Sequence, residues 1–473
     1  MSDHIYDVCV VGLGPTGATL ANLLAQFDLS VLVLEREADI YPLPRAVHFD
    51  DETMRVFQAV GIADALAEKV LINPGMKFVS PESETVLSWP RPQQITSQGW
   101  HASYRLHQPD LEHLLRAQLG AYPMVDVKTQ MLVQSIEDLG DRARIRAHPN
   151  GDAAARSFDA RYVVGCDGAN SITRRVIGSD VEDLGFTARW LVIDLLLHQP
   201  RPDLGDHSIQ FCDPTRPMTY CRNPGPRRRW EITLHRSETE AQVTTPAWIW
   251  DKLARWIMPH EAEIERRAVY TFKSHLATTW RQGRLLLAGD AAHLTPPFMG
   301  QGMCMGIRDA ANLAWKLAVA VSHPAPDRVL DSYQQERAPH ARAYIKKAVE
   351  LGAVINAINQ GEEPAQMRSI APKLGTSEFW CGADRHAGRP APQPYLGARL
   401  DDMVGRRHIV LSRNAAHRTI PNGVWLGADS HPQIATTLDA LDCHSVWIRP
   451  DHYVGATAAS ADALIAKLSD LAP

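Results

Sequence analysis

Three stretches of the chain share one pattern: a short apolar run, a break at glycine, then helical spacing of apolar residues. The first, YDVCVVGLGPTGATLANLLAQFDLSVLVLER, predicts a strand over residues 6–11, a glycine turn, a helix from about 15 to 26 and a strand over 31–34. The second, RYVVGCDGANSITRR, predicts a strand that ends on Asp167-Gly168. In the third, LLLAGDAAHLTPPFMGQGMCMGIRDAANLAWKL, a buried strand breaks at Gly289-Asp290; a Pro-Pro pair and two glycines precede a helix. Ending a strand on an acid and giving up side chains at a helix start leaves bare backbone for a bulky anionic cofactor.

Between these stretches the period changes to two. GMKFVSPESETVLSW and residues 190–236 alternate apolar and polar positions, with turns at CDPTRP and NPGPRRR. They predict a mostly antiparallel sheet that roofs the cofactor and carries a substrate cavity. Residues 248–260 and 329–351 read as helical. After about Pro364 the text is rich in Pro and Gly; HIVLSR, HSVWIRPDHYVGAT and ADALIAKLSDL then suggest a small α/β unit. The expected organisation interleaves a cofactor domain (1–73, 101–180, 281–360) with a sheet domain (74–100, 181–280), followed by a C-terminal unit (365–473).

Composition narrows the classes. A chain of 473 residues exceeds one core, which suits two or three domains. With 22% charged residues and a net charge of -5, it has no general attraction for nucleic acid or acidic membranes. No apolar run spans a bilayer, and MSDHIYDV lacks the features of a signal peptide, so a cytoplasmic protein is expected. Seven cysteines without a Cys-x-x-Cys pair argue against a dithiol centre or a zinc site, and no metal is expected.

The turn Gly12-Leu13-Gly14-Pro15-Thr16-Gly17 is a G-x-G-x-x-G between strand and helix. Its glycines allow a tight turn, close approach of a pyrophosphate and helix–strand packing, while the helix N-terminus offers free N–H groups. Glu35, at the end of the second strand, is placed to accept from a ribose hydroxyl, with Arg36 beside it. Taken with D-G-A-N-S-I-T-R (167–174) and G-D-A-A-H-L-T-P-P-F-M-G-Q-G (289–302), the sequence resembles the class A FAD-dependent aromatic hydroxylases of the para-hydroxybenzoate hydroxylase type. PRAVHFDDETMRVFQAVGI and FCDPTRPMTYC are most similar to segments of the 3-(3-hydroxyphenyl)propionate hydroxylases.

The resemblance implies an α/β fold: a Rossmann-type FAD domain interleaved with an antiparallel substrate sheet, plus a thioredoxin-like tail. It implies that Asp290 accepts from the ribityl hydroxyls and that Pro296 and Pro297 fix the backbone beside the flavin. Gly300, Gln301 and Gly302 then open a helix whose Met303 and Cys304 amides face the pyrimidine edge. Arg45 and Gln108 match positions at the pyrophosphate or ribityl chain, Val133 an adenine contact, and Asp167 with Arg174 a motif serving FAD and the nicotinamide nucleotide. NADH or NADPH would bind transiently, with no discriminator between them; Arg227-Arg228-Arg229 reads as a solvated hairpin tip. A homodimer is left open.

The implied activity is hydroxylation of a phenol by NAD(P)H and O₂ through a flavin C4a-hydroperoxide. Alongside Pro297, His48 is the expected catalytic residue, since a histidine near its ordinary pKa of about 6.5 can draw a phenolic proton at neutral pH. Arg216, Tyr220 and Arg222 are candidates for contact with the aromatic substrate, and His293 is expected to be structural. A flavin-dependent halogenase is disfavoured because Trp248-Ile249-Trp250 is not followed by its signature. The alternative kept open is a flavin monooxygenase or oxidase acting on a non-phenolic or heteroaromatic ring.

Overall fold

The structure is a computed structural model and describes residues 4–43, 45–149, 154–323, 326–359, 371–380, 383–414, 420 and 422–471. Strand Ile5–Val11 lies at the centre of the first sheet, parallel to Val31–Leu34 on one side and to Arg156–Gly165 on the other. Leu285–Leu287 extends the sheet beyond Gly165, and Val125–Lys128 extends it beyond Leu34, again in parallel. Both faces are covered, so VLVL and LLL are buried throughout, as parallel strands require. The register brings Val11, Gly165 and Leu287 to one edge. There Cys166 N donates to Val11 O at 2.8 Å and Ala288 N to Gly165 O at 3.0 Å, so the three motif loops converge. Ligands of such sheets bind beyond the carboxyl ends of the strands.

The second sheet has eight strands. Its spine is the long pair Val181–Leu197 and Ala262–Ala277; Arg227–Thr233, Met218–Arg222 and Ser208–Phe211 follow in antiparallel order. Ser208–Phe211 then pairs in parallel with Gly75–Val79, the one departure from an antiparallel sheet among the described pairings. At the other edge His293–Leu294 pairs with Ala262–Ala277, so the G-D-A-A-H stretch stitches the two sheets together. Leu191, Ile193, Tyr220, Trp230 and Ile232 form a core with helix Pro246–Leu253. The expectation of a solvated tip at 227–229 fails, because these residues begin a strand. Arg228 and Arg229 are buried, and Arg229 pairs with Asp194 at 2.7 Å.

Strands Gly423–Gly427, His408–Ser412, Ser445–Ile448 and Val454–Ala458 make a separate four-stranded sheet flanked by Gln433–Ala440 and Ala461–Leu471. The expected boundary near residues 360–365 lies outside the described residues. Buried ion pairs hold this unit to the rest: Arg55 with Asp401 at 2.6 Å, and Arg449 with Glu336 at 2.7 Å. Glu336 also takes Lys316 at 2.8 Å. Such pairs repay little net energy after desolvation, but breaking one strands a buried charge, which penalises any other docking. No described helix is long and apolar enough to cross a membrane.

Candidate active site

The three glycines of the first loop have different surroundings. Gly12 has φ +100°, and a Cβ there would lie 2.5 Å from Cys166 O; at Gly17 it would lie 2.0 Å from Gly12 O. At Gly14 a Cβ would meet nothing within 4 Å. Two glycines therefore serve packing, and the middle one faces a gap into which the first turn of helix Pro15–Ala25 points, with no side-chain cap. Thr16 is wedged between two further glycines, since Cβ atoms at Gly289 and Gly306 would lie 2.7 and 2.2 Å from its Oγ1. Glu35 is buried and accepts from Leu13 N at 2.7 Å and Glu37 N at 2.9 Å, which ties the loop to the second strand. Arg36 is exposed and pairs with Glu37. Val133 is buried in strand Met131–Asp138, whose first residue donates to Glu35 O.

Asp290 enters the same groove from the third loop. Its side chain is exposed there and accepts no hydrogen bond among the described residues. Below it Asp309 takes Gly289 N at 3.0 Å, His293 Nε2 at 2.6 Å and Arg337 Nε at 2.8 Å. Burial opposes the Asp309 charge, but His293 and Arg337 outweigh it and hold its pKa below the ordinary value. His293 thus sits fully inside this support. Asp167 Oδ2 accepts from Thr173 N and Oγ1, while Arg174 Nη1 donates to Ala291 O at 2.8 Å and links the second motif to the third. Asp167 Oδ1 is buried and unpartnered.

The loop after Asp290 turns sharply. Pro297–Met299 forms a single 3₁₀ turn, and Gly300 follows in the left-handed region at φ +62°, where a Cβ would lie 2.7 Å from His48 Nδ1. The side chain of Gln301 is held at both ends: Nε2 donates to Asp50 Oδ2 and Oε1 accepts from Arg308 Nη1, each at 3.1 Å. Helix Gly302–Ser322 starts here, leaving the amides of Gly302, Met303 and Cys304 without intrahelical acceptors. Gln108 is buried and accepts from Arg45 N at 3.2 Å and Ala46 N at 2.7 Å; the Arg45 side chain itself is exposed and lies over Tyr41.

His48 lies where this loop meets the substrate sheet. Its Nε2 is 2.7 Å from Ser103 Oγ and its Nδ1 3.5 Å from Gly300 O. Because Gly300 O can only accept, the ring proton belongs on Nδ1, and Nε2 then accepts from the Ser103 hydroxyl, whose oxygen in turn accepts from Asn73 Nδ2 at 2.9 Å. Burial lowers the His48 pKa to about 4, reinforced by Arg91 and Arg105 and partly offset by Asp50. The neutral ring corrects the expectation of a base titrating near neutrality. His48 and Pro297 border a cavity of about 110 Å³, with Arg91, Arg105, Thr219 and Glu231 among its walls. Burial also pushes the Glu231 pKa up, against the pull of Arg229.

The three expected substrate contacts lie off this cavity. Thr219 and Cys221 face it, so strand alternation turns Tyr220 to the opposite face, where it packs on Trp230. Arg216 is spent on Glu238 at 2.8 Å and Arg222 on Asp206. A larger cavity of about 1470 Å³ lies between the ends of helices Pro15–Ala25 and Gly302–Ser322 and the C-terminal unit. None of the three motif loops lines it, so the smaller cavity is the one that adjoins the chemistry.

Residues 5–348 match the family model described as an FAD binding domain. The chain belongs to that family. A relative named as a probable NADH-specific resorcinol 4-hydroxylase, from Rhodococcus jostii (strain RHA1), is 43% identical over 353 residues, covering 74% of this chain and 65% of that protein. The chain therefore spans just under two thirds of that relative's length. A 3-(3-hydroxy-phenyl)propionate/3-hydroxycinnamic acid hydroxylase of Mycolicibacterium smegmatis (strain ATCC 700084 / mc(2)155) is 35% identical over 452 residues, 88% of this chain and 78% of that protein. Among solved structures, aklavinone-11 hydroxylase with FAD and aklavinone superposes with a TM-score of 0.85 at 21% identity, over 100% of this chain and 99% of the other. That likeness establishes the fold alone.

The cofactor of the family is FAD, and the groove fits it. The gap at Gly14, the free amides of two helix N-termini and the unpartnered Asp290 carboxylate all face the same strand ends. These groups suit a ligand with a pyrophosphate, hydroxyl donors and an electron-accepting edge. Sequence reasoning missed the supports around His48 and Gln301, namely Ser103, Asn73, Asp50, Arg308 and Glu52. Asp50, Glu52 and Arg308 lie within the quoted stretches but carry no motif position, Asn73 and Ser103 lie outside them, and only the paired strands His48–Asp50 and Ser103–Arg105 bring two of those segments together.

Proposed function

We propose that this chain is a single-component flavoprotein monooxygenase that uses FAD, NADH and O₂ to hydroxylate a small phenolic ring. The observation that carries the reading is the position of the cavity. It lies against the Pro297–Gly300 turn and His48 on one side and the inner face of the substrate sheet on the other. At about 110 Å³ it is of the order of the roughly 150 Å³ cavity that accommodates benzene, which suits a single ring. The relatives named for resorcinol and hydroxyphenylpropionate support the same choice, and the first is named as NADH-specific.

Bound FAD supplies the reductive activation of O₂; the protein does the rest. Trp190 and Phe298 wall the cavity with apolar surface and exclude water. Arg91 and Arg105 place positive charge at the cavity, which favours the phenolate over the phenol and so raises the electron density of the ring. His48 stays neutral at pH 7, so it positions Ser103 by accepting its hydroxyl hydrogen bond at Nε2. Asp290 and the Gly302 helix amides orient the cofactor from either side of the turn.

The test is NADH consumption by purified holoprotein across phenols of increasing size. Resorcinol and other single-ring phenols should accelerate it, with hydroxylated product close to one per NADH. Equal rates with and without any phenol would overturn the proposal.

A further inference from the structure

The C-terminal unit reaches the cofactor groove through a line of buried polar groups. Tyr453 sits between strands Ser445–Ile448 and Val454–Ala458, beyond the residues matched by the family model, and is 4% exposed. Its hydroxyl donates to Glu52 Oε1. Glu52 Oε2 accepts from Arg308 Nε at 2.8 Å, and Arg308 Nη2 donates to Asp50 Oδ2 at 2.6 Å. Arg308 Nη1 and the same Asp50 oxygen hold the two ends of the Gln301 amide, each at 3.1 Å. Gln301 stands at the N-cap position of helix Gly302–Ser322, without a side-chain cap bond, and follows Gly300, the residue against His48.

The arrangement has one cation between two carboxylates. Arg308 satisfies one oxygen of Glu52, and Tyr453 satisfies the other. Without the Tyr453 hydroxyl, Glu52 would keep an unmet acceptor in a low-dielectric interior and compete harder for the guanidinium. Arg308 would then be drawn away from Asp50 and Gln301. Its guanidinium lies over the Tyr344 ring, so the movement open to it is in plane, along the line of carboxylates.

We propose that Tyr453 is a positioning residue for the flavin loop: through Glu52, Arg308 and Asp50 it fixes Gln301 and the first amides of the helix behind it. The C-terminal unit thereby sets the geometry of a site whose cavity none of its described residues lines. This rests on the reading of residues 297–304 as the flavin loop.

The test is a double-mutant cycle in the full-length protein, read by the FAD dissociation constant and the visible absorption spectrum of the bound flavin. Tyr453→Phe keeps the ring and removes the hydroxyl; it should weaken FAD by roughly three- to tenfold and shift the flavin band. Glu52→Gln should act in the same direction. Tyr453→Phe should add little once Gln301→Leu is present, since linked residues are not additive. An unchanged constant and spectrum in Tyr453→Phe, or full additivity with Gln301→Leu, would overturn the proposal. If Gln301→Leu alone leaves both readouts unchanged, the flavin-loop reading fails, and this inference with it.

Discussion

Asp290 is the only acid of the G-D-A-A-H stretch; desolvation by the surrounding protein raises its pKa, and the charges of His293 and Arg45 partly offset this. Asp309, on helix Gly302–Ser322, takes His293, Arg337 and the Gly289 amide, and among the described residues none donates a hydrogen bond to the Asp290 carboxylate. An acceptor left free in an open groove is available to a ligand hydroxyl. Replacing it by alanine removes a charge-assisted hydrogen bond worth about 1.5–3 kcal/mol, or roughly 10- to 150-fold in affinity. Asp290→Ala should therefore lose FAD on gel filtration while keeping its fold by circular dichroism. A variant that retains FAD as tightly as the parent would take Asp290 out of the cofactor site. His48 carries a different lesson. Its sequence context is that of a base, yet burial takes its pKa to about 4, and two hydrogen bonds use both ring nitrogens.

Among the elements, legibility followed local pattern. The three strand–turn–helix units were readable because apolar runs, glycines and a helix period lie within some thirty residues of each other. The faces of the substrate sheet were not. Met218–Arg222 carries a polar or polarisable atom at every position, so periodicity alone cannot say that Thr219 and Cys221 face the cavity. Nor does composition reveal that Arg229 is buried against Asp194, since the pairing depends on a register between strands 35 residues apart. The turn 449–453 was equally opaque: RPDHY carries several charged or polar side chains, yet Arg449, Asp451, His452 and Tyr453 are all buried. Its histidine makes a prediction possible. Burial lowers the His452 pKa to about 3; Arg55 and Arg406 add to this, and Asp401 only partly offsets it, with Asp451 also near. The folded state keeps this ring neutral while the unfolded chain binds a proton below about pH 6.5, so stability falls as pH drops from there toward 3. His452→Asn, which tolerates the local φ of +67°, should show a shallower decline in melting temperature between pH 6.5 and 4.5. An identical slope in parent and variant would rule out His452 as a source of the acid sensitivity.

At the scale of the whole molecule, the two sheets meet around one turn, Pro297–Gly302, and the third unit docks behind it through Glu52 and Arg308. The parallel sheet brings three motif loops to one edge, the second sheet borders a small cavity beside the Pro297–Gly300 turn, and Tyr453 of the C-terminal unit is bonded to Glu52 behind it. This division of labour suits the proposed oxygen chemistry on a single ring. Its central claim is that one atom of O₂ enters a phenol at the expense of NADH. The direct measurement is the product mass when the holoprotein turns over resorcinol with NADH under ¹⁸O₂. The account predicts a hydroxylated ring heavier by one ¹⁸O atom, formed in near-equal amount to the NADH consumed. Unlabelled product, or H₂O₂ as the sole product with every phenol tried, would contradict it.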